Sequence, residues 1–553
     1  MAVYEIRPEL DTICQEVIRE LYRFGDLADF ALLDLRKVEK IRNNVIKRFG
    51  LDAAPRNIEL LKAYRDLIEL GDIEPNDTIY GFLVKRKIRS LSGISNITVL
   101  MKAYGCPGKC IFCPTQPGMP KSYFSTQPAM LRAVRNGFNC YKQMKTRLNG
   151  LKTQGHDTSK IDVRTAGGTW SSYPLDYQEH FVKSIYFALN EGPGEFLDEE
   201  TVEKLISEAN LADLIKTNET AESRCVGLWI ETRPDWVTIE EIIRLRNFGV
   251  TGIELGIQTT SDPVNEFNER GHGLAESIAA TKLARDAGLK VCHHLMPNLP
   301  TATMEDDLNS IADLFGKGIL EPDYIKVYPC MVTPYTKLAK MIEKDPSIFT
   351  PYSDQELSQL LVEILKKVPE YCRIIRILRD FPSELILQGS KISNLRQVLE
   401  QQGVKARDIR AREIKGENFD PENVELICRS YEANAGTEHF LSFEDTSQDK
   451  LIGLLRLRLP QNQNDIYIPE LKNAALIREL HVYGTQKSLK KNSQTLSSQT
   501  QHQGFGQRLM NEAEQKAKQA GFSKIAVISA IGTREYYKKL GYKLEGTYMT
   551  KEI

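Results

Sequence analysis

The segment GCPGKCIFCPTQ places Cys106, Cys110 and Cys113 within eight residues, at the spacing C-x3-C-x2-C. The other cysteines of the chain are isolated. The pattern is therefore no disulfide framework, and a reducing, cytoplasmic setting is expected. A structural zinc takes four protein ligands, and no second C-x2-C or H-x3-H pair follows to complete such a set. Three thiolates can instead hold three irons of a four-iron, four-sulfur cube, which leaves the fourth iron open to a substrate. Gly105, Pro107 and Gly108 suit a tight loop wrapped on such a cluster.

A second chemistry-bearing stretch lies near the C-terminus. Gln501-His502-Gln503-Gly504-Phe505-Gly506 has the form Q-x-x-G-x-G and opens a helix, QRLMNEAEQKAKQAG. Free backbone amides at a helix N-terminus bind pyrophosphate. The strand ELHVYG precedes it, and the strand IAVISA and the segment REYYKKLGY, with Tyr536 and Tyr537, follow. Basic residues gather in three runs: Arg36, Lys37, Lys40, Arg42, Lys47 and Arg48; Lys85, Arg86, Lys87 and Arg89; and Lys142, Lys145, Arg147 and Lys152. With a formal net charge of −1, the chain as a whole does not gather polyanions, so phosphate tracking must come from local patches of this kind. Tyr104 and Phe124, near the cysteines, are candidates to stack on a base.

The elements that must position these residues read as follows. At 553 residues the chain is too long for one hydrophobic core. Residues 1–80 are helical: Leu10, Ile13, Cys14, Val17 and Leu21 form one stripe of an amphipathic helix. From about residue 94, six strand-then-helix units follow in series, beginning ITVLMKAY, KIDVRTAGG, VGLWIETRP, GIELGIQ, KVCHHLMP and DYIKVYP. Such a series predicts a parallel sheet with right-handed crossovers, here a partial barrel whose chemistry sits at the C-terminal ends of the strands. After about residue 402, four antiparallel strands precede the glycine turn, and TQKSLKKNSQTLSSQTQ reads as a loop. The predicted division is a helical region at 1–80, the partial barrel at 81–385, a linker at 386–401 and an α+β unit at 402–553. No apolar run is long enough to span a bilayer, and MAVYEIRPELDTICQEVIRE does not read as a signal peptide.

C-x3-C-x2-C with Phe112 before the last cysteine resembles the radical S-adenosylmethionine (SAM) superfamily. That likeness implies a six-unit partial barrel, a [4Fe-4S] cluster on Cys106, Cys110 and Cys113, and SAM chelated to the open iron. The segments implied to hold SAM are AGGTWSSYP (Gly167, Gly168, Thr169), WIETRPD (Glu231, Arg233), IELGIQT (Gln258) and HHLMPNLP, where His293 and His294 could equally be core residues. The C-terminal order resembles the GNAT acetyltransferases. By that likeness Glu479, Leu480, His481 and Val482 line the acetyl arm of acetyl-CoA, Gln503, Gly504, Phe505, Gly506, Gln507 and Arg508 hold its pyrophosphate, and Tyr537, with Tyr536 beside it, contacts the thioester.

The pairing of the two modules, with FSTQPAMLRAVR, NERGHG, LIGLLRLRLP and AVISAIGTREYYKKLGY, resembles the family of Elongator catalytic subunits over nearly the whole chain. This implies carboxymethylation of tRNA wobble uridine from acetyl-CoA by a SAM-derived radical, with tRNA as partner and accessory subunits or a second copy as further candidates. It also implies that Lys160 contacts acetyl-CoA from the barrel side. The compact cysteine spacing suggests a prokaryotic member, and ARDIRARE, which has no cysteine, implies no zinc between the modules. The rival readings are a protein lysine acetyltransferase in which the cluster is structural and a non-enzymatic tRNA-binding scaffold.

Overall fold

The computed structural model describes residues 7–51, 54–84, 92–379, 381–392, 403–415, 419–484 and 504–553. The apolar stripe of the first helix, α1 (Asp11–Ala28), does what its spacing requires. Cys14, Val17, Ile18 and Leu21 are buried against α2 (Leu35–Arg48) and α3 (Asn57–Glu69). Together with α4 (Asp77–Leu83) they enclose a small core of their own. Burial of one such side chain contributes about 1.5–3 kcal/mol, so packing of this stripe holds the helices more than local propensity does.

The strand–helix series forms one parallel sheet in chain order: β1 (Ser95–Leu100), β2 (Lys160–Ala166), β3 (Arg224–Thr232), β4 (Gly252–Gln258), β5 (Lys290–Leu295), β6 (Tyr324–Val327) and β7 (Arg373–Ile377). All six units expected from the sequence are present. The helix Asp354–Lys367 of the sixth leads into a further strand, β7, whose RIIRI is too short and too charged to stand out as a strand. The cysteine loop follows β1 directly, and the GGT segment follows β2.

The second sheet has the order β13-β14-β12-β11-β10-β9-β8. Its strands are β8 (Val424–Glu432), β9 (Gly436–Asp445), β10 (Lys450–Pro460), β11 (Ala474–Val482), β12 (Lys524–Val527), β13 (Lys543–Glu545) and β14 (Tyr548–Glu552). β11 and β12 run parallel but pair only from Ala474↔Lys524 to Ile477↔Val527. Beyond that point β11 stays on β10 alone, so the two strands part and open a cleft. Helix Phe505–Gln519 buries Leu509, Met510 and Ala513 against this sheet. β13 and β14 go beyond the strands expected from the sequence: both are short, and β13 is exposed along its length.

The two sheets share one continuous core. The turns at Gly249 and Gly288, before β4 and β5, lie so close to the second sheet that a Cβ at either would meet Ile531, or Leu476 and Ile528. The second unit therefore sits under the N-terminal ends of the barrel strands. Residues 408–414 stitch the units together. Ile409 N–H donates to Cys372 O, and Ile414 N–H donates to Leu451 O.

Candidate functional site

The cysteine loop lies over the C-terminal ends of the parallel strands. Ile111 N–H donates to Asn268 O at 3.2 Å, and Thr115 N–H donates to Tyr335 O at 2.9 Å. Three different settings await the three thiols. Cys106 Sγ lies 3.4 Å from Thr169 Oγ1, at the end of the GGT segment, and accepts from Gly108 N–H at 3.4 Å. Arg270 Nη1 donates to Cys110 Sγ at 3.1 Å, with Arg233 Nη1 at 4.0 Å. Cys113 packs beside Ile111, Phe112 and Leu299. Burial, and then the neighbouring Cys110 thiol, pushes its pKa up to about 11.

The donor set fits a cluster better than a single ion. Sulfurs on one zinc lie within about 4.6 Å of each other, twice the 2.3 Å bond. The three thiols do not form such a group: among the described residues only Glu254, Cys292 and His294 bring three ligand atoms within 4.8 Å. A cube that offers each thiolate its own iron does not need convergent sulfurs. Glu254, Cys292 and His294 are themselves no cation site. Arg164 donates to Glu254 at 2.7 Å and Lys326 lies on its other oxygen, so two cations already occupy the carboxylate.

The residues implied to hold SAM gather beside the loop. Gly167 and Gly168 have φ of +131° and +106°, and a Cβ at Gly167 would meet Met101, so only glycine suits this turn. Glu231, at the end of β3, accepts from Tyr123 Oη at 3.2 Å. Arg233 is clamped by both oxygens of Asp235, each at 2.9 Å. Gln258, the last residue of β4, takes a positive φ of 70°. Of the two histidines, His293 is core: it is fully buried on Thr281 Oγ1 at 3.0 Å, and burial pushes its pKa down to about 3. His294 points into the barrel, with Nε2 on Glu254 at 2.8 Å and Nδ1 3.8 Å from Glu231.

The second group of residues opens a different space. A cavity of about 1260 Å³ lies where the second sheet meets the floor of the barrel. Glu479, Leu480, His481, Val482, Gly504, Phe505, Gly506, Gln507, Tyr536 and Tyr537 line it from one side. Lys160, Asp162, Arg164, Trp229, Lys290 and Tyr324 line it from the barrel. Gly504, with φ of +84°, caps the helix, and a Cβ at Gly506 would come within 2.9 Å of Tyr536 Oη. Glu479 is held by Arg456 at 2.8 Å and by the Tyr324 hydroxyl. His481 donates to Ser92 O at 2.7 Å. Tyr537 is buried and burial keeps its hydroxyl protonated, whereas Tyr536 is exposed at its edge. Burial also lowers the Lys160 amine.

Some expectations meet a different placement. Arg508 does not line the cavity: its guanidinium lies over Phe443 at 4.4 Å, and its N–H donates to Gly504 O. Gln503 and the run Lys85, Arg86, Lys87 and Arg89 lie outside the described residues. The run after the cysteine loop is in part committed within the fold. Lys145 is buried on Gly192 O at 3.0 Å, and Lys142 pairs with Glu199. Phe124 is core, edge-on to Phe381, while Tyr104 stays exposed beside Tyr173. The α2 run keeps Arg36, Lys40 and Lys47 exposed.

Inside the barrel, His294 belongs to the HHLMPNLP segment, whereas Arg164, Glu254 and Lys326 belong to no motif. Arg164, Glu254, His294 and Lys326 form one polar layer, with Glu254 and His294 buried and the two cations half-buried, joining the cavity floor to Glu231. The interior of a parallel barrel is ordinarily apolar. The available signal is the charge inside otherwise apolar strands: Glu254 in GIELGIQ, Lys326 in YIKV, and Arg164 beside Asp162 in KIDVRTA. Burial alone would raise the Glu254 carboxyl, but Lys326, His294 and Arg164 outweigh it and hold it well below the carboxylate range.

Comparison with known proteins agrees with both modules. Residues 178–314 match the radical SAM superfamily, 322–403 the radical SAM C-terminal domain and 492–551 the acetyltransferase (GNAT) domain. A tRNA uridine(34) acetyltransferase of Methanocaldococcus infernus is 37% identical over 539 residues, covering 94% of this chain and 96% of that protein. Elongator complex protein 3 of Dictyostelium discoideum is 34% identical, covering 93% and 91%. The solved structure of the archaeal Methanocaldococcus infernus Elongator protein, with an N-terminal deletion (1-46), superposes with a TM-score of 0.70 at 36% identity over 84% of this chain and all of that one.

Proposed function

The chain belongs to the family of Elongator complex protein 3 and the tRNA uridine(34) acetyltransferases, and from that premise we propose that it converts tRNA wobble uridine to 5-carboxymethyluridine, using SAM and acetyl-CoA. Membership carries the coarser function: tRNA wobble modification by a radical SAM unit joined to an acetyltransferase unit, with a [4Fe-4S] cluster, SAM and acetyl-CoA. Among the described residues no helix is long and apolar enough to cross a membrane, and the proposed setting is the cytoplasm.

One observation carries the finer reading. The acetyl-arm strand and the tyrosines share a single cavity with the floor of the barrel. A lysine acetyltransferase working alone needs an open groove for a protein side chain, whereas here the barrel covers the place where the acetyl group would end. Carbon 5 of uridine is not acidic enough for ionic alkylation by acetate. When bound, the cluster and SAM supply a carbon radical strong enough to take hydrogen from the acetyl methyl group.

The chain's own part is positioning and exclusion of water. Cys106, Cys110 and Cys113 hold the cluster, and Gly167, Gly168, Thr169, Glu231, Arg233 and Gln258 hold SAM at the strand ends. Glu479 to Val482 guide the acetyl arm, and the amides of Gly504 to Gln507 face the pyrophosphate. Tyr536 and Tyr537 flank the thioester, and Lys160 supplies positive charge from the barrel floor. Arg36, Lys40 and Lys47 on α2 offer phosphate contacts to tRNA. Accessory subunits or a second copy would join at surfaces outside these sites.

Anaerobic incubation with tRNA, SAM and acetyl-CoA, followed by mass spectrometry of the wobble nucleoside, tests the proposal. Carboxymethyluridine is the expected product. Its absence, with acetylated protein lysine in its place, would favour the acetyltransferase alone.

A further inference from the structure

Three thiols that ligate equivalent irons need not be equivalent themselves, and here they are not. Cys106 lies against a hydroxyl and a backbone amide, and Cys113 sits among apolar side chains, with Lys121 and Arg379 acting on it only through space. Among the described residues, Cys110 is the one of the three whose sulfur has a guanidinium within hydrogen-bond reach. Arg270 donates to its sulfur at 3.1 Å, and Arg233 lies at 4.0 Å. Both guanidinium groups are buried, with Arg233 7% and Arg270 5% exposed.

The surroundings hold the two arginines on that sulfur. Arg233 is clamped by Asp235 and donates to Arg270 O at 2.7 Å. Arg270 also bonds Gly256 O and lies 2.8 Å from His272 Nε2. Glycine clears the approach: a Cβ at Gly108 would fall 2.2 Å from Arg233 Nη1. An arginine that served only to fill space would not need Gly108 and a bidentate carboxylate to aim it.

We infer that Arg270, supported by Arg233, sets the reduction potential of the cluster by placing a charge-assisted hydrogen bond on the Cys110 thiolate. This rests on the reading of the three cysteines as cluster ligands. One-electron reduction adds a negative charge to the cluster. A guanidinium against one thiolate stabilises that charge, and hydrogen bonds to ligand sulfurs are among the levers that set such potentials. The effect raises the potential, which makes the cluster easier to reduce by the one-electron donor that must feed it. Arg270 is thus a positioning residue for the electron and need not touch SAM.

Potentiometric titration followed by electron paramagnetic resonance tests this on the full chain, reconstituted anaerobically with iron and sulfide and reduced with dithionite in the absence of SAM. Arg270→Met removes the charge and the donors, and Arg270→Lys keeps the charge but loses the planar fork. The midpoint of Arg270→Met is expected to fall, so that where wild type is half reduced its reduced-to-oxidised ratio drops about tenfold, or about 59 mV for a one-electron couple. Arg270→Lys is expected to lie between the two. Wild-type midpoints in both variants overturn the inference. If Arg270→Met loads no iron, the Lys variant decides alone, and an unshifted midpoint overturns the inference equally. Failure of the wild type to assemble any cluster would instead sink the cofactor reading on which this rests.

Discussion

Arg478 and Asp323 face each other across the join between the two sheets as a fully buried, two-pronged ion pair. Nη1 donates to Oδ2 at 2.8 Å, and Nη2 donates to Oδ1 at 2.6 Å. Arg478 is the extra residue where the β10–β11 register shifts between Arg456 and Leu457, and that bulge turns it towards β6. Around it Arg458 binds Asp286 at 2.6 Å, and Arg285 lies 3.3 Å from Glu438. The acetyltransferase unit is thereby fixed beneath the barrel by charge, and the shared cavity depends on that fixed placement.

Removing one partner of such a pair leaves an unpaired charge in the interior. Arg478→Leu is therefore expected to destabilise the chain by about 3–5 kcal/mol, read from the midpoint of chemical denaturation. The pH dependence has a definite sign. Burial alone would raise the Asp323 carboxyl, but Arg478, Arg456 and Arg285 hold it well below the ordinary range. Its contribution is thus present above the unfolded pKa of about 3.9 and is lost as pH falls below that towards the folded value. Asp323→Asn should start less stable at pH 7 and lose less between about pH 5 and pH 3 than wild type.

Each of Cys106→Ser, Cys110→Ser and Cys113→Ser is expected to abolish the iron-dependent visible absorption after anaerobic reconstitution. The cavity at the other end of the barrel does not include these residues. Acetyl-CoA affinity, measured by calorimetry, should therefore stay within about twofold, as distant sites act independently. A parallel loss of both would show that the two ends are coupled.

Lys160→Met should weaken acetyl-CoA binding at pH 7 by about tenfold, or about 1.4 kcal/mol. Because burial lowers the Lys160 amine, the wild-type advantage should fade as pH rises through a midpoint below the ordinary lysine value of about 10.4. An advantage that persists above that value would mean the side chain acts through packing.

Gly108→Ala forces a Cβ to within 2.2 Å of Arg233 Nη1, a position that Asp235 and Arg270 O prevent the arginine from leaving freely. Overpacking of this kind costs about 1–3 kcal/mol. Iron loading should fall several-fold, and Arg233→Lys in the same chain should restore part of it. Unchanged loading by Gly108→Ala alone would show that the loop has slack.

Much of this architecture is legible in the order of residues. The cysteine spacing, the six strand–helix units and the glycine turn before a helix are local patterns, and local patterns survive into the fold because backbone geometry enforces them. Charge runs are less reliable. Lys145 belongs to a basic run yet is buried on a carbonyl, because a helix shows one face to water and the run does not say which. Phe124 and Tyr104 differ in the same way: one is core and the other surface, from similar sequence settings. Glu254 and Lys326 are single charges in apolar strands, and Arg164 shares its strand with Lys160 and Asp162. Each has meaning only beside the others.

The sequence by itself determined which chemistry is present: three thiols for a cluster, a glycine turn for a pyrophosphate, and the elements that carry them. Only the tertiary structure decided that the acetyl-arm strand shares one chamber with the barrel floor, that the cysteine loop lies at the opposite strand ends, and that Cys110 receives the arginines. Those facts join residues tens to hundreds of positions apart, such as Arg478 with Asp323. Such pairings follow from how buried charges find partners across a packed interface, which no local spacing encodes.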